Sequence, residues 1–173
     1  MQRETLTAEG VKRSLGLVPH PREGGWYVRS WESAEMLAAG TFVDARYDGP
    51  RHASTVIYYL LEPGTFSEMH RLKSDKIFHH YLGGPMEMLQ LHEDGSSLRV
   101  VIGKDLDASE RPQWAVPRGV WQGSRLLREE GFALLGCTVT PGFEFADYEQ
   151  GERDELSARW PEWAELIARL TRG

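Results

Sequence analysis

The sequence contains little cysteine, no long apolar run and no block of basic residues. Its single cysteine, Cys137, cannot form an intramolecular disulfide, and the apolar run 132–139 around it predicts a small buried side chain. No apolar run reaches the roughly 18 residues of a membrane span, and residues 1–17 lack the apolar stretch of a signal peptide. These absences predict a cytoplasmic protein without a membrane partner.

Acidic residues outnumber basic ones, and the two kinds are mixed along the chain. The net charge is −6, and no basic tract of the kind that follows a phosphate backbone is present. We therefore expect no nucleic-acid partner. The 173 residues, of which 40% are hydrophobic and 27% are charged, predict one globular domain with its own core.

Short β-rich runs alternate with turn residues through the middle of the chain. The predicted strands are 53–61, 65–72, 76–82, 85–92, 98–102, 113–116, 120–127 and 131–139, with residues 26–31 as a further edge strand. Their spacing of roughly ten residues favours a sandwich or barrel over alternating strands and helices. Residues 93–96 predict a hairpin turn.

A short helix is predicted on each side of these strands. Residues 7–15 form the first, with Thr7 as its N-cap. Residues 160–170 form the second, because Trp163, Leu166, Ile167 and Leu170 make one apolar stripe.

The stretch GTFSEMHRLKSDKIFHHYLG has the spacing of a metal-binding barrel motif, G-x5-H-x-H-x3-E-x6-G. Gly64, His70 and Gly83 match it, but Leu72 occupies the second histidine position and Lys76 the glutamate position. The motif works because histidines two apart on a strand share a face, where a carboxylate can complete a facial set of ligands. Here an apolar group and a cation replace two of those ligands.

A second motif, P-x-G-x2-H, begins at Pro117 and places Gln122 where the last metal ligand is expected. One histidine, His70, and one amide fall short of the three or four protein ligands usual at such metal sites. We therefore predict no tightly bound metal and no other cofactor, while a weakly held metal at His70 stays open.

The chain resembles the uncharacterised cupin family DUF985, also called Cupin_5. The resemblance rests on five blocks in one order: PHPREGGWYVRSW, STVIYYLL, SEMHRLKSDKIFHHYLGGPMEM, PQWAVPRGVWQGS and LLGCTVTPGFEFADYE. The chain departs from the family pattern by one extra residue before Gly24, by Lys76 in place of an acid and by Phe78 in place of tryptophan. The resemblance implies a homodimer and brings no settled activity.

We therefore predict an all-β cupin jelly-roll barrel, or double-stranded β-helix, with short N- and C-terminal helices. One cupin domain covers residues 1–173, with a helical lead-in over about 5–17, the barrel over about 24–150 and the C-terminal helix over about 160–171. Closing the strands in this way protects sheet edges and leaves a cavity between the sheets.

His70 and Lys76 are the predicted catalytic residues. Strand parity places both on the cavity side if Leu72 also faces inward. A histidine in a water-poor cavity can act as a general base, and Lys76 could hold an anionic substrate or act as a base. The alternatives are a core histidine bonded to a backbone carbonyl and a lysine whose ammonium reaches water at the rim.

Seven further residues are predicted to bind a ligand: Glu23, Tyr59, His79, His80, Gln113, Trp121 and Gln122. Neighbours on one strand face opposite sides, so His79 and His80 cannot both face the cavity, nor can Trp121 and Gln122. Parity with Lys76 favours His80 on the cavity side, but a bulge could shift the register and place His79 there instead. Glu23 could instead pair with an arginine.

These candidates support three hypotheses about a small polar ligand in the barrel. The leading one is a metal-independent isomerase or epimerase acting on a sugar derivative, with His70 as base and Lys76 and Gln122 as polar partners; the sugar rests on analogy alone. The second is a non-catalytic ligand-binding protein. The third is a metal-dependent enzyme in which His79 or His80 supplies the missing ligands.

Overall fold

A computed structural model of the chain describes residues 6–172 as two antiparallel sheets with short helices on their outer faces. Strands are numbered in chain order. The larger sheet has the order β1 (Val18–Pro19), β2 (Trp26–Glu32), β5 (Thr55–Leu61), β12 (Ala133–Thr140), β7 (Asp75–Gly83) and β10 (Gln113–Val116). The smaller sheet has the order β13 (Tyr148–Gln150), β6 (Phe66–Leu72), β11 (Trp121–Leu126), β8 (Met86–Leu91) and β9 (Ser97–Ile102). A small separate ladder joins β3 (Met36–Leu37) and β4 (Arg51–His52).

The main core lies between the two sheets. Alternate residues of each strand point into it, because side chains on a strand change face at every residue. Tyr59, Phe78 and Leu135 from the larger sheet meet Met88 and Ile102 from the smaller one, and all five are completely buried. The interior near one end of these sheets is polar, and that end contains the candidate site.

Helices cover both outer faces. The first helix, α1 (Ala8–Leu15), packs Val11 against Leu60 and Leu134 of the larger sheet, and the Thr7 hydroxyl caps its N-terminus by accepting a hydrogen bond from the Gly10 N–H. On the smaller sheet lie α2 (Arg153–Arg159) and α3 (Ala164–Arg169). Shorter 3-10 turns occur at Ala39–Thr41, Phe145–Asp147 and Pro161–Trp163.

The predicted strands are present, with ends that differ by at most two residues, and the turn at 93–96 joins β8 to β9. The strand at 26–31 is internal to its own sheet, between β1 and β5, and not at an edge. One continuous helix was predicted at 160–170, but the structure has a 3-10 turn at Pro161–Trp163 followed by α3. Sequence reasoning missed α2, β13 and the two-residue strands.

Among residues 6–172, no helix is both long and apolar enough to cross a lipid bilayer.

Candidate functional site

A tight loop before β2 carries Glu23 into the interior of the barrel, where its side chain is only 5% exposed. Gly24 and Gly25 follow it with φ values of +94° and +69°, in the left-handed region that favours glycine. A Cβ on Gly24 would lie 2.2 Å from the Phe66 carbonyl oxygen, so only glycine lets the loop approach β6 this closely. The Glu68 N–H then donates to the Glu23 carbonyl at 2.8 Å and fixes the loop.

Glu23 and Lys76 form a buried ion pair. The Lys76 ammonium lies 3.1 Å from Glu23 Oε1, and the Ser67 hydroxyl donates to the same oxygen at 2.6 Å. Burial alone would raise the pKa of the Glu23 carboxyl. The Lys76 ammonium, His70, His20 and the Ser67 hydroxyl outweigh burial and hold that pKa well below its usual range. Glu23 is therefore a carboxylate at neutral pH.

The second oxygen of Glu23, Oε2, faces His70 at 3.9 Å from its Nε2. His70 Nδ1 lies 2.7 Å from the Glu68 carbonyl oxygen, which can only accept, so Nδ1 carries the proton and Nε2 is an acceptor. This Nε2 is buried and has no hydrogen-bond partner within residues 6–172. Burial lowers the pKa of His70 to about 4, a shift that the Glu23 carboxylate opposes and the Lys76 ammonium reinforces.

His20, which sequence reasoning missed, approaches the same oxygen from another direction. Its Nδ1 accepts hydrogen bonds from the N–H groups of Glu23 at 2.8 Å and Arg22 at 3.3 Å. The proton of the neutral ring must then be on Nε2, which lies 3.9 Å from Glu23 Oε2. Burial lowers the pKa of His20. Backbone groups thus hold His20 and His70 in opposite tautomers toward one carboxylate oxygen.

A cavity of about 360 Å³ opens beside this group. His20, Glu23 and Lys76 lie at its buried end. Its walls are mostly apolar and include Ile57, Leu72, Cys137, Val139, Phe143 and Phe145. His70 is completely buried and does not line this cavity, so Glu23 and not His70 is the candidate base placed to touch a ligand.

A bulge explains how β6 contributes both Ser67 and His70 to the interior, although residues three apart on a regular strand face opposite sides. The pairing of β6 with β11 shifts register between Gln122 and Ser124. Gln122 lies opposite His70 on the inner face, and its buried Oε1 has no hydrogen-bond partner in the described part of the chain. Of the predicted site residues, His70, Lys76 and Glu23 are therefore brought together, and Gln122 lies opposite His70 on the neighbouring strand.

Tyr59, a predicted ligand-binding residue, also faces the interior of the barrel. Its hydroxyl donates to the Gly24 carbonyl at 2.7 Å, which ties β5 to the loop that carries Glu23. Burial raises the pKa of Tyr59 well above its usual value, so the ring stays a neutral phenol. Through this hydrogen bond, Tyr59 stabilises the loop that positions Glu23.

Two candidates, Trp121 and His80, lie away from the cavity. Trp121 packs on the outer face of the smaller sheet near the C-terminal helices, with the Arg71 guanidinium 4.5 Å from its ring centre. His80 Nε2–H donates to the Gly84 carbonyl at 2.9 Å, which fixes the ring at the turn after β7. Neither residue is part of the candidate site.

His79 and Gln113 lie on the outer face of the larger sheet. They are opposite each other on β7 and β10, with His79 Nδ1 3.5 Å from the Gln113 amide nitrogen. Their neighbour Phe78 is completely buried in the core between the sheets, so alternation turns His79 outward. The structure therefore places this pair outside the barrel.

Comparison with known families agrees with the two-sheet architecture. The family model described as Cupin superfamily (DUF985), Cupin_5, matches residues 10–151 of the chain. The chain belongs to this family. The predicted cupin jelly roll with short helices is thereby confirmed, and the candidate site lies inside the cupin barrel.

This cupin is similar to proteins from three named organisms. The uncharacterised protein YML079W of Saccharomyces cerevisiae is 31% identical over 163 residues, which cover 89% of this chain and 81% of the yeast protein. The crystal structure of protein SO0799 from Shewanella oneidensis is 32% identical with a TM-score of 0.84, covering 97% and 99% of the two chains. A hypothetical protein from Leishmania major is 30% identical with a TM-score of 0.85, covering 97% and 100%.

The residues at the motif positions do not fit a metal. Leu72 packs with Val139 and Tyr148 and offers no ligand atom. Lys76 brings an ammonium that is bonded to the nearby carboxylate. His20 Nε2 carries its proton and cannot coordinate. Within the described residues, no group of three or more His, Cys, Asp or Glu side chains is arranged to hold a metal ion.

We predict that the protein purified without chelator contains well under one equivalent of iron, manganese, zinc or nickel, as elemental analysis can measure. An ammonium beside a divalent ion is repulsive. The double variant Leu72→His/Lys76→Glu restores two ligands of the motif and should bind more metal than wild type. Stoichiometric metal in wild type that is lost in His70→Ala would contradict this prediction.

Proposed function

We propose that this cupin binds a small carbonyl compound in the barrel cavity and moves a proton beside its carbonyl group without a metal. The observation that supports this most is the pair of opposite tautomers around Glu23 Oε2. His20 presents a donor, Nε2–H, and His70 presents an acceptor, the unprotonated Nε2. A carboxylate base beside a neutral imidazole donor is suited to abstracting a proton from carbon and stabilising the resulting enolate.

The proposed reaction moves one proton between the ligand and Glu23. Glu23 Oε2 accepts a proton from the carbon next to the carbonyl, and the electrons of the C–H bond form a C=C bond while the carbonyl electrons move to oxygen. The His20 Nε2–H donates a hydrogen bond to that enolate oxygen. Return of the proton to the same carbon regenerates the ketone, and its return to a carbon conjugated with the enolate gives an isomer, so no oxidant or reductant is required.

This assignment moves the role of base from His70 to Glu23. Lys76 occupies Oε1 of the carboxylate. Oε2 lies 3.9 Å from both His20 Nε2 and His70 Nε2, beyond hydrogen-bond distance, and is the oxygen left to accept the proton. Once Glu23 is protonated, a small rotation of its carboxyl can bring the new O–H within hydrogen-bond distance of His70 Nε2, which is 3.9 Å away before the reaction. His70 is then a positioning residue that stabilises the protonated intermediate.

Deuterium exchange next to a carbonyl tests the proposal. We expect the protein to accelerate exchange of cyclohexanone or dihydroxyacetone in D₂O, followed by proton NMR, with no effect of EDTA. Glu23→Gln and His20→Gln should each slow exchange by on the order of 10²–10⁴, the usual contribution of a general acid or base. His79→Gln, a histidine outside the barrel, is the matched control and should exchange like wild type.

Two outcomes would reject this function. One is exchange no faster than in buffer for both probes. The other is exchange by the folded His20→Gln variant, confirmed by circular dichroism, at the wild-type rate.

Non-catalytic binding is the second candidate, and the proton affinities favour it. The pKa of His70 is about 4 and that of Glu23 is below its usual range, whereas general acids and bases work best with a pKa near the working pH. A fixed pattern of charges and tautomers suits recognition of a ligand. Tight binding of a carbonyl compound without deuterium exchange would support this alternative. The sugar derivative and the homodimer stay predictions.

A further inference from the structure

The charges around the cavity bear on which ligands it accepts. Lys76, at the buried end, is paired with Glu23 at 3.1 Å. Arg29, at the exposed end, donates from one terminal nitrogen to Glu32 at 3.0 Å and from the other to the Phe143 carbonyl at 3.1 Å. Among the described lining residues, no cation is left without an acceptor. An anionic group would therefore enter without a positive partner of its own.

The charge at the mouth of the cavity also disfavours anionic ligands. Glu144 is an exposed residue of the rim and adds a negative charge there. Two hydroxyl residues, Tyr27 and Thr55, also line the cavity, and the Thr55 hydroxyl already accepts a hydrogen bond from the Phe143 N–H at 2.9 Å. Both hydroxyls are neutral, so neither adds a positive charge for an anion. Sugar phosphates and nucleotide sugars, which are anionic, match this wall poorly.

The middle of the cavity provides few hydrogen-bond partners for the hydroxyl groups of a ligand. Ile57, Leu72, Val139 and Phe143 present apolar side chains there. A hydroxyl transferred from water to such a wall loses its hydrogen bonds to water, and this costs free energy when no new partner replaces them. A ligand with hydroxyls on every carbon would meet that cost several times over, while an apolar ring would gain from burial.

The volume limits the ligand to a small molecule. At about 360 Å³ the cavity is near the lower end of the range of ligand pockets. It has the room of about a dozen water molecules of liquid volume, enough for one ring with small substituents.

We infer that the cavity accepts an uncharged, one-ring ketone or enol whose single polar edge faces Glu23 and His20. The inference rests on the proposed function for the carbonyl group, and on the apolar, charge-balanced walls for the rest. It favours an apolar ring compound over the sugar derivative predicted from analogy.

Three matched probes test this ligand class by isothermal titration calorimetry or ligand-observed NMR. Cyclohexanone has an apolar ring and one carbonyl, 4-oxocyclohexanecarboxylate adds an anion to the same ring, and dihydroxyacetone keeps the carbonyl but replaces the ring with hydroxyls. We expect cyclohexanone to bind at least tenfold more tightly than either of the others. Phe145→Lys adds a positive charge at the exposed mouth and should reduce the preference for cyclohexanone over 4-oxocyclohexanecarboxylate. Leu98→Lys adds the same charge on β9 and should leave that preference unchanged.

No detectable cyclohexanone binding, or tighter binding of either other probe, overturns the inference even if Glu23-dependent exchange is found. Cyclohexanone binding without deuterium exchange would support the ligand class and reject the proposed reaction.

Discussion

Glu23→Ala is expected to lower the free energy of unfolding by about 3–5 kcal/mol at pH 7, the usual cost of removing one partner of a buried ion pair. The side chains of Glu23 and Lys76 are 5% and 4% exposed, so the lysine ammonium would be left without its partner in a place that water reaches poorly. The Ser67 hydroxyl would lose its acceptor as well. Urea denaturation followed by circular dichroism measures the change.

Two controls separate the charge from the loss of packing. The double variant Glu23→Gln/Lys76→Met removes both charges and should recover most of the stability, because apolar replacements of buried pairs are often neutral. Glu149→Ala removes the exposed partner of Arg71, at 2.7 Å, and should cost less than about 1 kcal/mol. If Glu23→Ala is as mild as Glu149→Ala, the buried pair does not hold the loop in the barrel.

The fold could be predicted well because its signals are local and repeated. Val, Ile and Tyr in β5 and the glycines at 64 and 83 mark strands and turns within a few residues of each other. The helix α2 was missed because it is short and polar, with only Leu156 buried, so it carries no apolar stripe. Strand β13 has three residues, too few for alternation to show.

The site was harder to predict because its centre is a loop residue. Glu23 reaches the barrel only because Gly24 and Gly25 let the chain lie against β5 and β6, a contact between segments more than 30 residues apart. Sequence reasoning therefore offered pairing with an arginine as the alternative to a ligand-binding role for Glu23. His20 was missed although the spacing His-x2-Glu before two glycines was visible. That signal becomes informative only once the loop is known to enter the barrel.

Strand parity was reliable where strands are regular and insufficient where they are not. It placed Lys76 inward correctly, and it left His79 and His80 undecided. The bulge between β6 and β11 brings Ser67 and His70 to one face, and alternation alone cannot foresee this. The histidine tautomers also depend on hydrogen bonds to the backbone, such as the one from His70 to the Glu68 carbonyl. These bonds form only in the folded chain, so the sequence does not show them.

Acidification from pH 7 to pH 4 is expected to destabilise the protein, with a contribution from His70 of about 3 kcal/mol. Its pKa is about 4 in the folded protein, against an ordinary value of 6.5, because of burial, and a tenfold change in proton affinity corresponds to about 1.4 kcal/mol. The unfolded chain therefore binds the proton first as the pH falls. The stability is fully present above pH 6.5 and is lost as the pH falls toward 4.

The other groups near His70 do not all act in this direction. The lowered pKa values of His20 and Glu23 reinforce the loss in acid, whereas burial raises the pKa of Glu68, which works against it. His70→Gln removes only the titration of one imidazole, so its free energy of unfolding should fall less steeply between pH 6.5 and 4 than that of wild type. Urea unfolding at half-unit pH steps measures both curves, with His79→Gln as the control that should follow wild type. Parallel curves for wild type and His70→Gln would show that the buried histidine does not resist protonation, and its role as a neutral acceptor for Glu23 would fail with it.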